Sequence, residues 1–299
     1  MVGINAALQI PLLPNGKFTP EMVRLFQELA NMSGNIDSDP AIAYAIQKVY
    51  ADYGDKVSVS AKRKDLRKWG ENANVGTAGA AIMTLPSSET QETLIGTNGI
   101  THISSDNAGD TMDIDFYEGH TVAGSNLTFK NEQTDTTING QSSVALPTAL
   151  CRATRARLSA PAAGNIYFHE NGTLSSGVPT DPTEIHMIIP AGEMQTQKAS
   201  TAVSSQDYWF ITGATASVLE KTASWAQVRI EIKHFQDTYF FPVTQWIGVS
   251  DASGTVKIIG ENDPILIIPK NYDVRLFAKS NTAGIYVAGG MQGPLAKVI

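Results

Sequence analysis

The sequence predicts a mainly β protein: one or two antiparallel β-sandwich, jelly-roll-like domains behind a short helical or extended N-terminal arm. Three observations carry this. From Ile82 onward apolar residues recur with period two, the spacing of a strand with one buried face. Turn signals such as Asn139-Gly140, Asn171-Gly172 and Asp251-Ala252-Ser253-Gly254 separate these runs with no helical pattern between them, which argues against βαβ units. Before Gly70 the period is that of amphipathic helices, followed by a basic run.

In order along the chain, residues 4–13 read as an extended apolar peptide ending at the Pro14-Asn15-Gly16 turn. Thr19 then stands as an N-cap, Pro20 takes the first helical position and Glu21 complements the helix dipole. Met22, Phe26 and Leu29 form one apolar face before Gly34. Asp39 and Pro40 repeat the device, and Ile42, Ile46, Val49 and Tyr53 make the second stripe before Gly54. Helices of about three turns are marginal alone in water, so residues 1–61 form an arm that packs on itself, on the β body or on another subunit. Phe26, Leu29, Ile42 and Ile46 are its expected docking side chains.

The basic run Lys62-Arg63-Lys64-Asp65-Leu66-Arg67-Lys68 opens a linker over residues 62–79. Lys62, Arg63, Lys64, Arg67 and Lys68 are expected to dock on an acidic neighbour. A first sandwich is placed at 80–172, a linker rich in Ser, Gly and Pro at 173–187, and a second sandwich at 188–299; a single two-layer domain with a long loop fits the pattern as well. Met112-Asp113-Ile114-Asp115-Phe116, Val228 to Lys233 and Val274 to Ala278 alternate as half-buried strands with their charges outward. Tyr208 to Ile211 and Ile265 to Ile268 are continuous apolar runs, expected to be covered on both faces.

Composition limits the function classes. With 42% apolar residues the 299-residue chain can bury a large core, and its net charge of −7 gives no sign of general nucleic-acid affinity. The charge is uneven: residues 1–70 carry nine Lys/Arg against seven Asp/Glu, the rest thirteen against twenty-two. Packaged DNA is therefore not an expected contact. The single cysteine, Cys151, excludes an intrachain disulfide and a Cys-based zinc site. No basic n-region precedes an apolar stretch at the start, so secretion by a signal peptide is not expected, and no run is apolar for long enough to span a membrane as a helix.

Chemistry-bearing residues form no catalytic pattern. The five histidines, His102, His120, His169, His186 and His234, show no metal-ligand spacing. A Ser-His-Asp triad needs no sequence adjacency, but no Gly-x-Ser-x-Gly elbow is present. Asp113 and Asp115, near Asp110 and Glu118, read as the solvated face of an exposed strand, a pattern that discourages edge pairing. No catalytic residue, metal site or cofactor is expected. Late aromatics read mostly as core, with Tyr239, Phe241 and Trp246 around Pro242 as the candidates for an exposed contact with a partner or glycan.

Several ordered stretches carry a resemblance: Leu66-Arg67-Lys68-Trp69-Gly70-Glu71-Asn72-Ala73-Asn74-Val75-Gly76-Thr77, Ile103-Ser104-Ser105-Asp106-Asn107-Ala108-Gly109-Asp110-Thr111, Thr136 to Gly140, Ala153 to Leu158, Gly164-Asn165-Ile166, Ile189-Pro190-Ala191-Gly192 and Ile268 to Arg275. Over about residues 62–296 the chain resembles the β-rich virion structural proteins of tailed bacteriophages. The resemblance implies a non-enzymatic virion component, foremost a capsid decoration or cement protein, with a neck, tail or fibre-anchoring protein or a carbohydrate-binding receptor module as alternatives. It further implies the major capsid protein or other virion proteins as partners, a homo-oligomer that includes a trimer among its options, and assembly into the virion in the host cytoplasm.

Overall fold

A computed structural model describes residues 62–83, 99–132, 136–219, 224–250, 254–259, 266–282 and 284–296. The two amphipathic stripes, with Phe26, Leu29, Ile42 and Ile46, lie outside the described residues. Residues 62–299 group into one compact unit.

The described strands are β1 (Lys62–Val75), β2 (Ala80–Ala81), β3 (Ile100–Ser105), β4 (Ile114–Ala123), β5 (Asn126–Glu132), β6 (Val144–Leu150) and β7 (Arg152–Leu158). Next come β8 (Ile166–His169), β9 (Leu174–Ser175), β10 (Val178–Pro179), β11 (Ile185–Ile189), β12 (Ser200–Ala202), β13 (Tyr208–Ile211) and β14 (Gly213–Val218). The last are β15 (Trp225–His234), β16 (Phe241–Pro242), β17 (Ile247–Ser250), β18 (Val256–Ile259), β19 (Leu266–Ile268), β20 (Tyr272–Ser280) and β21 (Ile285–Ala296). Every ladder among them is antiparallel, as turn-separated period-two runs require. The mainly β class holds.

Two hydrophobic clusters organise these strands. One, with Ile103, Ile114, Leu158, Phe168 and Ile189, is built by the four-stranded sheet β11-β8-β3-β6 and the three-stranded sheet β5-β4-β7. The other holds Trp209, Val228, Ile230, Leu276 and Val287 between two six-stranded sheets. One runs β18-β14-β21-β13-β19 with β1 on β21; the other runs β12-β20-β15-β16 with β17 on β15 and β2 on β20.

The chain divides differently from the composition-based boundaries. The stretch 62–79 carries β1, paired with β21 from Lys62↔Ala296 to Val75↔Ile285, so it closes a sheet of the second cluster. Its Leu66 and Val75 point into that core, a one-in-two pattern hidden among charges. The stretch 173–187 likewise holds β9, β10, a 3-10 turn and the start of β11, whose Met187 and Ile189 finish the first core. Ser176 and Gly177 have φ of 49° and 81°, the two positive values a two-residue hairpin turn needs.

Tyr208 to Ile211 is covered as expected: Trp209, Phe210 and Ile211 are all buried. In β15 the expectation of outward charges fails in one respect. Arg229, Glu231 and Lys233 do alternate with the core residues, yet Glu231 and Lys233 are buried. Segment 235–246 folds back over them and sets Phe240 and Trp246 on that face.

Candidate functional site

The charged residues inside the body come first, because burial decides what they can do. Arg152 at the start of β7 grips Asp273 of β20 by two parallel hydrogen bonds, Nε to Oδ1 at 2.8 Å and Nη2 to Oδ2 at 2.9 Å. Lys68 donates to the Thr154 carbonyl at 3.0 Å and stands 3.8 Å from Glu118, while Lys198 donates to the Ala153 carbonyl at 2.9 Å. All five charged groups are buried. They tie β4 and β7 of one cluster to β1, β20 and the strand-entering segment of the other. A small apolar patch, Leu127, Cys151, Ala202 and Phe235, completes this seam. Asn271, in the left-handed region at φ 65°, accepts from the Leu127 amide at 2.9 Å and donates to Asn126.

His120 sits in the same seam with its ring edge-on to Phe129 at 5.4 Å. Burial above all, then the nearby cations of Lys68, Arg152 and Lys198, pushes its pKa down to about 3, so the ring is neutral. A cavity of about 20 Å³ beside it, lined by Glu118, Thr201, Ser204 and Asp207 among others, has room for a single water. Burial also pushes the Cys151 thiol up to about 11, against the opposing pull of Arg152. That thiol is no nucleophile in the folded chain.

Two sequence motifs turn out to clamp each other. Asp110 accepts from Ser105 Oγ and from the amides of Ala163 and Gly164, and Asp106 accepts from the Asn165 amide and side chain and from the Tyr167 hydroxyl. Although burial opposes it, this set of donors holds the Asp110 carboxyl below the ordinary range. Asp110 and Glu118, the carboxylates near Asp113, are therefore buried and structural. Asp113 is exposed, and its carboxylate accepts from Thr137 Oγ1.

Sequence reasoning did not bring any histidines together, but β3 and β8 do. His102 and His169 are register partners with ring centroids 6.1 Å apart. His169 Nε2 lies 3.1 Å from Ser104 Oγ, and its Nδ1 is hydrogen-bonded to the Glu170 carbonyl. Ser104 donates to the Gly177 carbonyl at 2.7 Å, and both Ser104 and His169 have no exposed surface. The serine–histidine pair resembles a catalytic dyad in distance only: no substrate atom reaches Oγ. Nothing in the one-dimensional spacing of 65 residues signals this contact. His186 pairs instead with Glu170 at 3.2 Å.

Two outer faces present side chains to solvent. On the β15–β20 face, Glu231 receives Arg229 and Arg275, Arg229 and Lys279 flank Trp246 at 4.1 and 4.5 Å, and Arg275 stacks on Phe240 at 3.8 Å. Trp246 is thus pinned, whereas Tyr239 is 82% exposed and Phe241 43% exposed at the tip of the covering segment. Of the three aromatics read from sequence, Tyr239 and Phe241 are exposed, Phe241 with its ring edge-on to Tyr272. Of the basic run, Arg67 is exposed and Lys68 is buried, its ammonium consumed by Thr154 and Glu118; strand alternation sends neighbours to opposite faces. Lys62, Arg63 and Lys64 lie on the β1 backbone, at its start.

The second face belongs to the sheet of β1, β21, β14 and β18. A surface groove of about 330 Å³ runs across it, between Arg67 and Trp69 on one side and Lys257 on the other. Trp69 is 52% exposed. The strand that pairs with Trp69, β21, lies at the far end of the chain, so no local pattern signals this groove.

No protein-family model and no curated protein matches the chain. Among solved structures it is similar to three particles of infectious bursal disease virus. The T13 viral particle matches at 11% identity with a TM-score of 0.22, over 79% of this chain and 70% of that one. The T=1 particle matches at 12% identity and 0.23 over the same shares, and the Gt strain structure at 11% and 0.19, over 80% and 78%. Overlap of that size establishes no common fold. Among the described residues no helix is long and apolar enough to cross a membrane.

Proposed function

We propose that this chain is a non-enzymatic structural protein of a virus particle, and more narrowly a decoration or cement protein of a tailed-phage capsid. In this reading residues 1–61 reach a neighbouring subunit, the β body supplies the shape, and the protein acts as a homo-oligomer on the major capsid protein. The observation that supports it is the fate of the reactive side chains. Lys68, Glu118, Arg152, Lys198 and Asp273 bind the two core clusters to each other inside the body, while Trp69, Tyr239 and Phe241 face out, Trp69 with Arg67 and Lys257 nearby. Aromatic and arginine side chains on flat faces are the composition of contact surfaces. The ordered motif likeness to phage virion proteins points the same way.

Quantitative mass spectrometry of purified particles tests the proposal. Copy numbers in the hundreds per particle fit capsid decoration, and six or twelve fit a neck or tail component instead. Absence from the particle overturns the virion reading altogether. Deleting residues 1–60 should leave the body folded and remove it from particles; full occupancy of the truncated form would refute the arm's role. The alternative of a carbohydrate-binding receptor module is favoured by one feature, the groove beside Trp69.

A further inference from the structure

The groove has an unusual construction. Trp69 of β1 is the register partner of Gly290 in β21, Gly290 is the partner of Thr215 in β14, and Thr215 is the partner of Lys257 in β18. These four residues form one transverse row across the sheet. The adjoining row on the same face runs Arg67–Gln292–Gly213. Two of the seven positions are glycine, and the Trp69 ring and the Gln292 side chain lie against them.

A Cβ at Gly290 would come within 2.7 Å of the Trp69 ring and 2.8 Å of the Lys68 carbonyl. The indole therefore leans across β21 into the space that glycine leaves. Cross-strand pairing of an aromatic with glycine explains the packing of one side of the ring. It does not explain why a tryptophan so placed stays half exposed and is flanked by cations. Arg67 and Lys257 are both exposed, and among the described residues no carboxylate lines the groove, on a chain whose net charge is −7. Thr212, Thr215 and Gln292 add hydroxyl and amide groups along the floor.

From this arrangement we infer that the outer face of this sheet is a binding subsite for an acidic saccharide, a short oligosaccharide segment bearing a uronic- or sialic-acid-type carboxylate. The Trp69 ring offers the flat apolar surface against which the C–H face of a sugar ring packs. Thr215 and Gln292 answer its hydroxyls, and Arg67 or Lys257 pairs with the carboxylate by a charge-assisted hydrogen bond. The span from Trp69 to Lys257 is three strand spacings, about 14 Å, and the volume is at the low end of small-ligand sites. An extended peptide needs a sheet edge or a longer groove. Single-stranded nucleic acid needs successive stacking platforms, and among the described residues the groove is lined by one aromatic ring.

The experiment is a calorimetric titration of the full chain with uronic- and sialic-acid-containing oligosaccharides, with the same oligosaccharides after carboxyl reduction, and with oligo-dT. Acidic oligosaccharides bind, and carboxyl reduction weakens them at least ten-fold. Trp69→Ala removes binding. Because Trp69 also packs on Gly290, Lys257→Gln and Thr215→Val serve as variants of surface positions; Lys257→Gln lowers affinity several-fold and narrows the gap between acidic and reduced ligands. The inference is overturned if no acidic oligosaccharide binds at millimolar concentration, if the reduced form binds equally, if all three variants bind as the parent does, or if oligo-dT binds more tightly. Particle copy number is independent of every one of these results, so this inference and the virion proposal fail separately.

Discussion

Arg152 and Asp273, 121 residues apart in sequence, meet through two hydrogen bonds of 2.8 and 2.9 Å with both side chains almost wholly removed from water. The pair joins β7 of one core cluster to β20 of the other. A buried ion pair adds little over a well-packed apolar pair, but a buried charge left alone is expensive. Arg152→Ala should therefore destabilise the body by about 3–5 kcal/mol. The double variant Arg152→Met with Asp273→Leu should lose markedly less. Urea unfolding of the parent, the single and the double variant checks this; equal losses in both variants would contradict it.

His120 gives stability a pH dependence whose sign follows from its environment. Its folded value of about 3 lies below the ordinary 6.5, so between these two the unfolded chain binds more protons. Its contribution is complete above about pH 6.5 and falls as pH drops toward 3, by up to about 1.4 kcal/mol per unit. Burial lowers His102 and His169 as well, with the same sign. His120→Leu should flatten, without abolishing, the decline in unfolding free energy between pH 6.5 and 4.5. An unchanged slope would mean that His120 is reached by solvent.

The Ser176-Gly177 turn is fixed twice over. Gly177 has φ of 81°, and a Cβ there would lie 1.8 Å from the Ser105 carbonyl oxygen. Gly177→Ala combines left-handed strain with a backbone clash and should cost about 3 kcal/mol or more. Differential scanning calorimetry should show a lower Tm. Gly254→Ala, also at positive φ but with open space around its Cβ, should cost only about 1 kcal/mol.

Tyr239 and Phe240 are neighbours with opposite predicted phenotypes. Phe240 covers Arg275 at 3.8 Å, so Phe240→Ala should reduce stability by about 1–3 kcal/mol. Tyr239 is 82% exposed, and Tyr239→Ala should leave the Tm within about a degree or two while lowering particle occupancy. Loss of stability without loss of occupancy at Tyr239 would remove it from the contact surface.

Class and strand alternation were legible because period two and turn chemistry are local. Tyr208 to Ile211 and the exposure of Tyr239 and Phe241 could be read from residues within ten positions of each other. The misread parts depend on partners far away in the chain. Lys68 looked like a solvated charge because Glu118 and Thr154 are remote, and Glu231 looked exposed because the covering Phe240 lies beyond a turn. Segment 62–79 read as a linker since its two core residues, Leu66 and Val75, are diluted by lysine and arginine. The Ser104–His169 contact and the Trp69–Gly290 row are products of register, which no single strand encodes.

Among the described residues, strand β1 meets only β21 as a ladder partner, Lys62 beside Ala296. A ribosome therefore releases the opening strand of this sheet long before it makes the one that will accept it. Throughout that interval the Leu66 side of β1 has to wait unpaired, open to other chains at the same stage. Closure by such distant segments makes completion of the body a late, all-at-once event, slow by its topology. A chain interrupted before residue 285 has nothing to lay against its own first strand.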